Sequence, residues 1–402
     1  MKILVLAGGS DQIALIKELK KRGHKIILVD YFENPPAKPY ADKHIAASTL
    51  DVNQVQNIAI SEQVSLICTA CTDQALLTVA KVSEELGLPC YISHNTALNV
   101  TNKSYMKRVM MHHGIPTAKY VIVDKIDTSA FHDFQYPLVV KPVDCNSSKG
   151  VKLVETEVAL IKYLQEAINY SRTKTAIIEE FKVGEEISAD FYVEGNRAKL
   201  LSATNSTKIA NKKSFTILQS CYPIITEESE QQLVSIAQSI AEAFEIKNSP
   251  LLIQLIYNQG HFDVLEFSAR MGGGSKYHLI NVLSGVDIMS KYVDLVLGNY
   301  PVVHPCKKVN FAHMNYVYCH PGVLNEIQGL EELKSEGIIK DYFIYKTPGM
   351  EFLHSETSGD RALGYLVVAD SESELASKEK QANARIKVLN EVGEDIMMHN
   401  LI

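Results

Sequence analysis

The chain has no apolar stretch long enough to cross a membrane: the run Ile3 to Ala7 is soon broken by Asp11 and is also too short for the core of a secretory leader. A cytoplasmic protein with no membrane partner is expected. Basic residues are in deficit, with 40 Lys and Arg against 47 Asp and Glu and a net charge of -7. That balance excludes non-specific nucleic-acid binding, which needs a surface able to neutralise phosphates, although local basic clusters can still hold a nucleotide. Low-complexity tracts and internal repeats are absent. Cysteine is sparse and odd in number at seven, scattered over the chain, which argues for reduced thiols rather than a disulfide scaffold. Cys68-Thr69-Ala70-Cys71 has redox spacing but lacks the aromatic and Gly-Pro context, and Cys68 closes an apolar strand. His112-His113, and Cys306 and Cys319 with His304 and His320, lack zinc-ligand spacing. These residues read as structural.

What is present is an ordinary globular composition, 46% hydrophobic and 22% charged, in 402 residues, enough for two or three domains. The first hundred residues alternate strand and helix. Lys2 to Ala7 reads as a buried strand, Gly8-Gly9-Ser10 as a tight turn and Asp11 to Arg22 as a helix. Strands are expected at Lys25 to Val29, Val64 to Thr69 and Pro89 to Ser93, with a helix from Gln74 to Leu86. This predicts a doubly wound parallel sheet with helices on both faces. Gly8-Gly9 and Asp30 partly match a dinucleotide fingerprint, but the full GxGxxG spacing is missing, which argues against a dehydrogenase and keeps it only as a third reading, while a small ligand at Gly8 and Gly9 is expected. After Lys103, helices are expected at 104–113, 157–169, 227–244 and 287–297, a hairpin at 251–268, and a last helix at 372–392.

Chemistry concentrates near residue 266. If 262–270 is a strand, its period of two places Glu266, Ser268 and Arg270 on one face, and Met271-Gly272-Gly273-Gly274 then leaves backbone amides open to a ligand. A salt-bridged edge strand is the bland alternative. Lys141 precedes Asp144-Cys145-Asn146-Ser147-Ser148-Lys149-Gly150, small polar residues able to wrap a polyphosphate. Ile177-Ile178-Glu179-Glu180 runs from an apolar strand into the acidic stretch Gly184-Glu185-Glu186. Singly, each of these is as well explained by a solvated turn or linker.

In order, Lys103, Lys141, Glu179, Glu186, Gln254, Glu266 and Arg270 resemble the pattern of the ATP-grasp superfamily of carboxylate-amine and carboxylate-thiol ligases, over most of the chain. The resemblance implies an N-terminal doubly wound domain (1–102), a central two-lobed ATP-grasp α+β domain (103–303, smaller lobe about 118–182) and a C-terminal closing segment (304–402). It further implies ATP held between two antiparallel sheets. Lys103 and Lys141 would bind the α- and β-phosphates, and Ser147, Ser148 and Gly150 would belong to a loop closing over them. Glu179 would accept from the adenine amine, the backbone near Lys182 would pair with the ring, and Glu186 would hold the ribose. Glu266, with Ser268 and Gln254 near it, would ligate Mg2+, and Arg270 would hold the substrate carboxylate or the phosphoryl group in transfer. Which of Lys208, Lys212 and Lys213 adds a further phosphate contact stays open.

Gln254 stands where the family usually has an acid and Ser268 where it often has asparagine, which leaves a second Mg2+ unsupported. Gly273, Gly274, Ser275 and Lys276 form the candidate substrate segment, and His278 a candidate general base, since histidine titrates near neutrality. The run Glu266 to Arg270 and the tail Gly359-Asp360-Arg361-Ala362-Leu363-Gly364-Tyr365 are most similar to the phosphoribosylglycinamide synthetase and biotin-carboxylase-like branch. The implied activity is an ATP- and Mg2+-dependent ligase that joins a small-molecule carboxylate to an amine through an acyl phosphate. Amino-acid ligases that form dipeptides share the glycine run and are the alternative, because Met271-Gly272-Gly273-Gly274 replaces the Phe-Gly-Asp-Pro of the synthetases. A non-catalytic ATP-binding regulator is the other reading. A homodimer is left open.

Overall fold

The computed structural model describes the whole chain except residues 146–148, 210–214, 224–226, 354, 356, 400 and 402. Strands β1 (Lys2–Leu6), β2 (Lys25–Asp30), β3 (Lys43–Ala46) and β4 (Leu66–Cys68) form a parallel sheet in the order β3-β2-β1-β4. Alternate side chains of a strand face opposite ways, and here both faces are buried. Ile3 and Val5 join the apolar cluster under helix α1 (Ser10–Lys21), while Leu4 and Leu6 join the one under α2 (Val52–Glu62) and α3 (Asp73–Leu86). That is why the first strand is apolar without alternation. Pro89 to Ser93, expected as a strand, is a connector: Pro89 has no N–H for a ladder, and Ser93 caps α4 (His94–Thr101), accepting from Thr96 N at 3.1 Å. The sheet instead gains β3, which its short and mixed sequence did not announce.

Asn102 caps α5 (Lys103–His112), and a second sheet follows, antiparallel, from β5 (Tyr120–Val123), β6 (Leu138–Pro142), β7 (Lys152–Val154) and β8 (Ala176–Glu180) in the order β5-β8-β6-β7. Leu138, Val140, Ala176 and Ile178 pack with Leu160 and Leu164 of α6 (Glu157–Tyr170). The alternation then turns Val139, Lys141 and Glu179 to the opposite face.

The third sheet is larger. β9 (Glu185–Glu194), β10 (Arg197–Lys208), β11 (Ile217–Tyr222), β12 (Ser249–Asn258), β13 (His261–Ser268) and β14 (Phe311–Val317) are its first members. After β15 (Gly322–Gln328) come β16 (Asp341–Ile344), β17 (Glu351–Phe352), β18 (Leu363–Ala369) and β19 (Lys387–Asn390). Eight strands are antiparallel in the order β13-β12-β9-β10-β11-β14-β18-β16, and β17-β15-β19 make a small separate sheet. Residues beyond 304 therefore extend the same sheet that carries Glu186 and Glu266. One face packs on α7 (Glu227–Ala243) through Ile187, Ala189, Phe191 and Val193. Tyr192, on the other face, packs with α8 (Lys276–Ser284) and α9 (Ile288–Val296), which leaves Glu186, Ser188 and Asp190 in a row on that side. The hairpin β12–β13 turns at Gln259 and Gly260, with φ of 48° and 86°, the two positive values a two-residue type I′ turn requires.

Helix α10 (Leu330–Ser335) and α11 (Glu372–Arg385) complete the chain. The last helix stops short of the expected 392 because Ile386 turns extended and Lys387–Asn390 pairs with β15. Its β-branched residues and period of two suit a strand.

Candidate active site

The four-stranded and eight-stranded sheets wall a cleft. Val139, Lys141, Glu179 and Phe181 line it on one side, and Glu186, Lys208, Gln254, Ile256 and Glu266 on the other. Lys103, at the start of α5, and Lys149, after the serine loop, close its end. Sequence neighbours reach this site through register: Gln254 is paired with Ser188 on one side and with Glu266 on the other, so the three side chains form a row across three strands.

Lys103 Nζ lies 3.0 Å from Glu266 Oε2 and donates to Cys145 O at 2.9 Å. Burial raises the pKa of Glu266, but the ammonium groups of Lys103 and Lys141 outweigh it and hold the carboxyl below its ordinary value. Glu186 Oε2 meets Lys208 Nζ at 2.6 Å, and Gln254 Nε2 is 3.5 Å from Oε1. Lys208 is thus the described lysine of the three candidates that reaches the cleft. Lys212 and Lys213, like Ser147 and Ser148, lie outside the described residues. Gly150 is left-handed at φ 74° and ends that loop, while Lys182 pairs through Nζ with Asp263 at 3.1 Å and lines the cleft beside Phe181.

Glu179 is placed otherwise than an adenine acceptor needs. It is 3% exposed, with Lys107 Nζ at 2.6 Å from one oxygen and Lys141 Nζ against the other. Burial pushes its pKa up, the two lysines push harder down, and it settles at about 2. Its carboxylate is engaged in fixing Lys141, and the half-buried neighbour Glu180 is the acid left on the cleft wall.

Beyond Glu266 the strand ends at Ser268, two residues sooner than expected, so Arg270 leaves the sheet. Ser268 is buried. Arg270 is clasped by Asp73 of α3, Nε to Oδ1 at 2.8 Å and Nη2 to Oδ2 at 2.5 Å, and Nη1 donates to Met271 O at 2.7 Å. An arginine already paired bidentately with a carboxylate is a poor primary anchor for a substrate anion. His278 is also displaced from the role of base: its ring packs on Phe343 with centroids 4.6 Å apart, 3.7 Å from Asp341, and it does not line the cleft. Burial is the main influence on its pKa and lowers it.

The glycine segment meets the N-terminal sheet. Asp11, at the start of α1, accepts from Gly274 N at 3.3 Å and Ser275 N at 3.0 Å. Gly8 N donates to Asp30 Oδ2 at 2.6 Å, which consumes the acid in shaping the Gly8-Gly9 turn; a Cβ on Gly8 would fall 2.5 Å from Pro35. Lys276 is buried under the loop, beside Ser188 Oγ and 3.7 Å from Asp190 Oδ2. Asp11, Asp73, Lys107, Asp190 and Arg361 are residues whose parts sequence reasoning missed. Two of them left a trace: Lys107, four positions after Lys103 on one helix face, and Arg361, inside the family-like tail Gly359 to Tyr365.

The donor set suits a hard divalent ion that keeps most of its coordination for phosphate oxygens and water: one carboxylate, Glu266, with the neutral amide of Gln254 beside it in register. Among the described residues no cluster of three or more His, Cys, Asp or Glu could cage a metal alone.

Two antiparallel sheets enclosing a lysine-lined cleft, with an acid at its end and a glycine loop beyond, make the ATP-grasp fold. Residues 101–274 match the family described as phosphoribosylglycinamide synthetase, ATP-grasp (A) domain, so this part of the chain is an ATP-grasp ligase domain, working with ATP and Mg2+. It is 24% identical over 417 residues to the phosphoribosylamine--glycine ligase of Thermococcus kodakarensis, covering 96% of this chain and 93% of that one. Among solved structures it is similar to phosphoribosylglycinamide synthetase from Anaerococcus prevotii (TM-score 0.73, 17% identity, 97% and 99% of the two chains). It is similar also to an L-amino acid ligase from Bacillus licheniformis (TM-score 0.78, 19% identity, 97% and 98%). No helix among the described residues is long and apolar enough to cross a membrane.

Proposed function

We propose that the protein joins glycine to phosphoribosylamine, or to a closely similar amine, at the expense of ATP. The observation that carries this reading is the row Ser188, Gln254 and Glu266, with Lys103 on Glu266 and with Lys276, which follows the glycine run, on Ser188. The similarity to phosphoribosylamine--glycine ligases over nearly the full length supports it.

A carboxylate cannot release oxide when an amine attacks, so its oxygen first takes the γ-phosphoryl group and ADP leaves. The amine nitrogen then attacks the acyl carbon, inorganic phosphate departs, and the nitrogen gives up its proton. Lys103, Lys141 and Lys208 neutralise the polyphosphate, and the work is mostly positioning and charge. Mg2+, held by Glu266 with Gln254 beside it, would offset charge on the phosphate oxygens when bound. Lys141 is held in place by Glu179 and Lys107 behind it. Glu186 faces the position a ribose would take, and the strand end at Phe181 and Lys182 offers backbone groups to the base. The chain is read as residues 1–102, 103–303 and 304–402, cytoplasmic, with a dimer as its assembly.

Phosphate release from ATP and Mg2+ in the presence of glycine and phosphoribosylamine, with mass spectrometry of the product, tests the proposal. Release that requires both substrates, with a product of their summed mass less water, is expected. Release with either one absent, or none with both, would overturn it.

A further inference from the structure

The glycine loop ends against an arginine whose charge has no counter-ion among the described residues. Arg361 lies between the turn Ser358–Asp360 and β18 and is 8% exposed. Its Nε donates to Tyr318 Oη at 3.2 Å, its Nη2 to Ser358 Oγ at 3.2 Å, and its guanidinium sits 3.5 Å from the Tyr316 ring centroid. These partners are neutral, since burial pushes both tyrosine hydroxyls up. Arg22 and Arg270 each clasp a carboxylate, but among the described residues Arg361 has none. Asp11 is near enough to feel its charge, yet gives its oxygens to Gly274 N and Ser275 N.

The free end of this side chain points at the loop. Arg361 Nη1 has no acceptor among the described residues, and it lies where a Cβ on Gly274 would come within 2.5 Å. Tyr316 Oη donates to Gly274 O at 3.1 Å on the same side. Gly274, left-handed at φ 73°, is therefore what lets a guanidinium reach the loop. The nearby Lys276 cannot be the surplus cation, because Asp190 balances it. On the same sheet face, Ser206 Oγ and Ser220 Oγ, paired in register across β10 and β11, are both buried without a partner. A guanidinium buried without a counter-ion is unfavourable unless an anion arrives to share the site.

We infer that Arg361 anchors an oxyanion carried by the amine substrate. This rests on the carboxylate-amine ligase reading and deepens it. The carboxylate to be activated must lie by Glu266 and Lys103, at the phosphate end of the cleft, and Arg270 is already balanced by Asp73. Arg361 is a second, separate point of positive charge across Gly272–Gly274, suited to an anionic group that takes no part in the reaction. The phosphate of a ribosylamine and the free carboxylate of an amino acid both fit that chemistry. Which one binds separates the two kinds of ligase.

The test titrates ribose 5-phosphate and glycine, with ribose as the uncharged control, into the full-length protein saturated with Mg2+ and a non-hydrolysable ATP analogue. At least one anionic probe binds the native protein while ribose does not. The probe that the Arg361 substitution weakens names the oxyanion, phosphate for a ribosylamine or carboxylate for an amino acid, since glycine also binds as the carboxylate substrate at the Glu266 end. Arg361→Gln weakens that probe roughly 10- to 100-fold, Arg361→Lys keeps part of the affinity, and the analogue binds all three proteins alike. Tyr318→Phe, which frees Nε while leaving the charge, serves if Arg361→Gln does not fold, and should weaken the probe severalfold. Equal probe affinity in native and substituted proteins, or no probe binding to the native protein, overturns the inference. ATP turnover indifferent to phosphoribosylamine and glycine would remove the substrate assignment proposed above but leave this one standing, since it is read from probe binding alone.

Discussion

Glu179 offers the sharpest test of how the cleft is held together. Its carboxylate is 3% exposed and carries Lys107 at 2.6 Å and Lys141 in contact, while Lys107 itself is fully buried. Burial alone would raise the carboxyl above its ordinary 4.5, but the lysines bring it to about 2. A carboxyl whose folded pKa lies below the unfolded one stabilises the fold. That contribution is complete above pH 4.5 and disappears as pH falls through about 2; the gap corresponds to roughly 3 kcal/mol. Glu179→Gln keeps the shape and strands two ammonium groups, one of them with Thr117 Oγ1 as its remaining partner. Removing one member of a buried pair costs about 3–5 kcal/mol. Adding Lys107→Met should recover part of that loss, since one stranded charge goes with it. Urea unfolding at pH 7 measures the effect, followed by far-UV circular dichroism because the chain has no tryptophan. The acid limb of native stability between pH 4.5 and 2 should be flatter in Glu179→Gln. A variant within about 1 kcal/mol of the native protein at pH 7, or a double variant less stable than Glu179→Gln alone, would refute the argument.

Glu266→Ala should lower the rate of phosphate release by roughly 100- to 1,000-fold or more, because the acid beside Lys103 is lost; stopped-time phosphate assays decide it, and near-native release would remove Glu266 from the metal site. Gly274→Ala places a Cβ 2.5 Å from Arg361 Nη1 and 2.9 Å from Tyr316 Oη at a positive φ. It should cost about 1–3 kcal/mol and abolish stimulation by the amine, while nucleotide affinity, measured by calorimetry, stays native. His278→Ala should leave the turnover number within a few-fold, its ring being packed on Phe343 outside the cleft; a fall of about 100-fold would restore it as a base. His313 is lowered by burial but raised more by Cys221 and Glu379, to about 9. The sign is opposite to that of Glu179: its stabilisation is full below the unfolded value of 6.5 and is lost as pH rises through about 9, so His313→Gln should destabilise at pH 6 and matter little at pH 10 in thermal unfolding.

Periodicity alone was enough for much of the chain. The apolar run of β1, the amphipathic helices α1, α3 and α7, and the hairpin at Gln259-Gly260 each follow from local pattern, because burial and φ requirements act on neighbouring residues. The ordered series Lys103, Lys141, Glu186, Gln254 and Glu266 likewise pointed to one cleft, and the fold brings all five to it. Local pattern misjudged Pro89–Ser93 and Lys387–Asn390, where pairing with a distant strand, or its lack, decides between loop, helix and sheet. The charge partners were beyond its reach. That Glu179 is spent on Lys107 and Lys141, that Arg270 is balanced by Asp73 some 200 positions earlier, and that Arg361 meets Gly274 with no carboxylate on it among the described residues depend on which side chains meet across sheets. A charged residue's function is fixed by what else is within a few ångströms in a poorly screened interior, and only the tertiary structure supplies those neighbours.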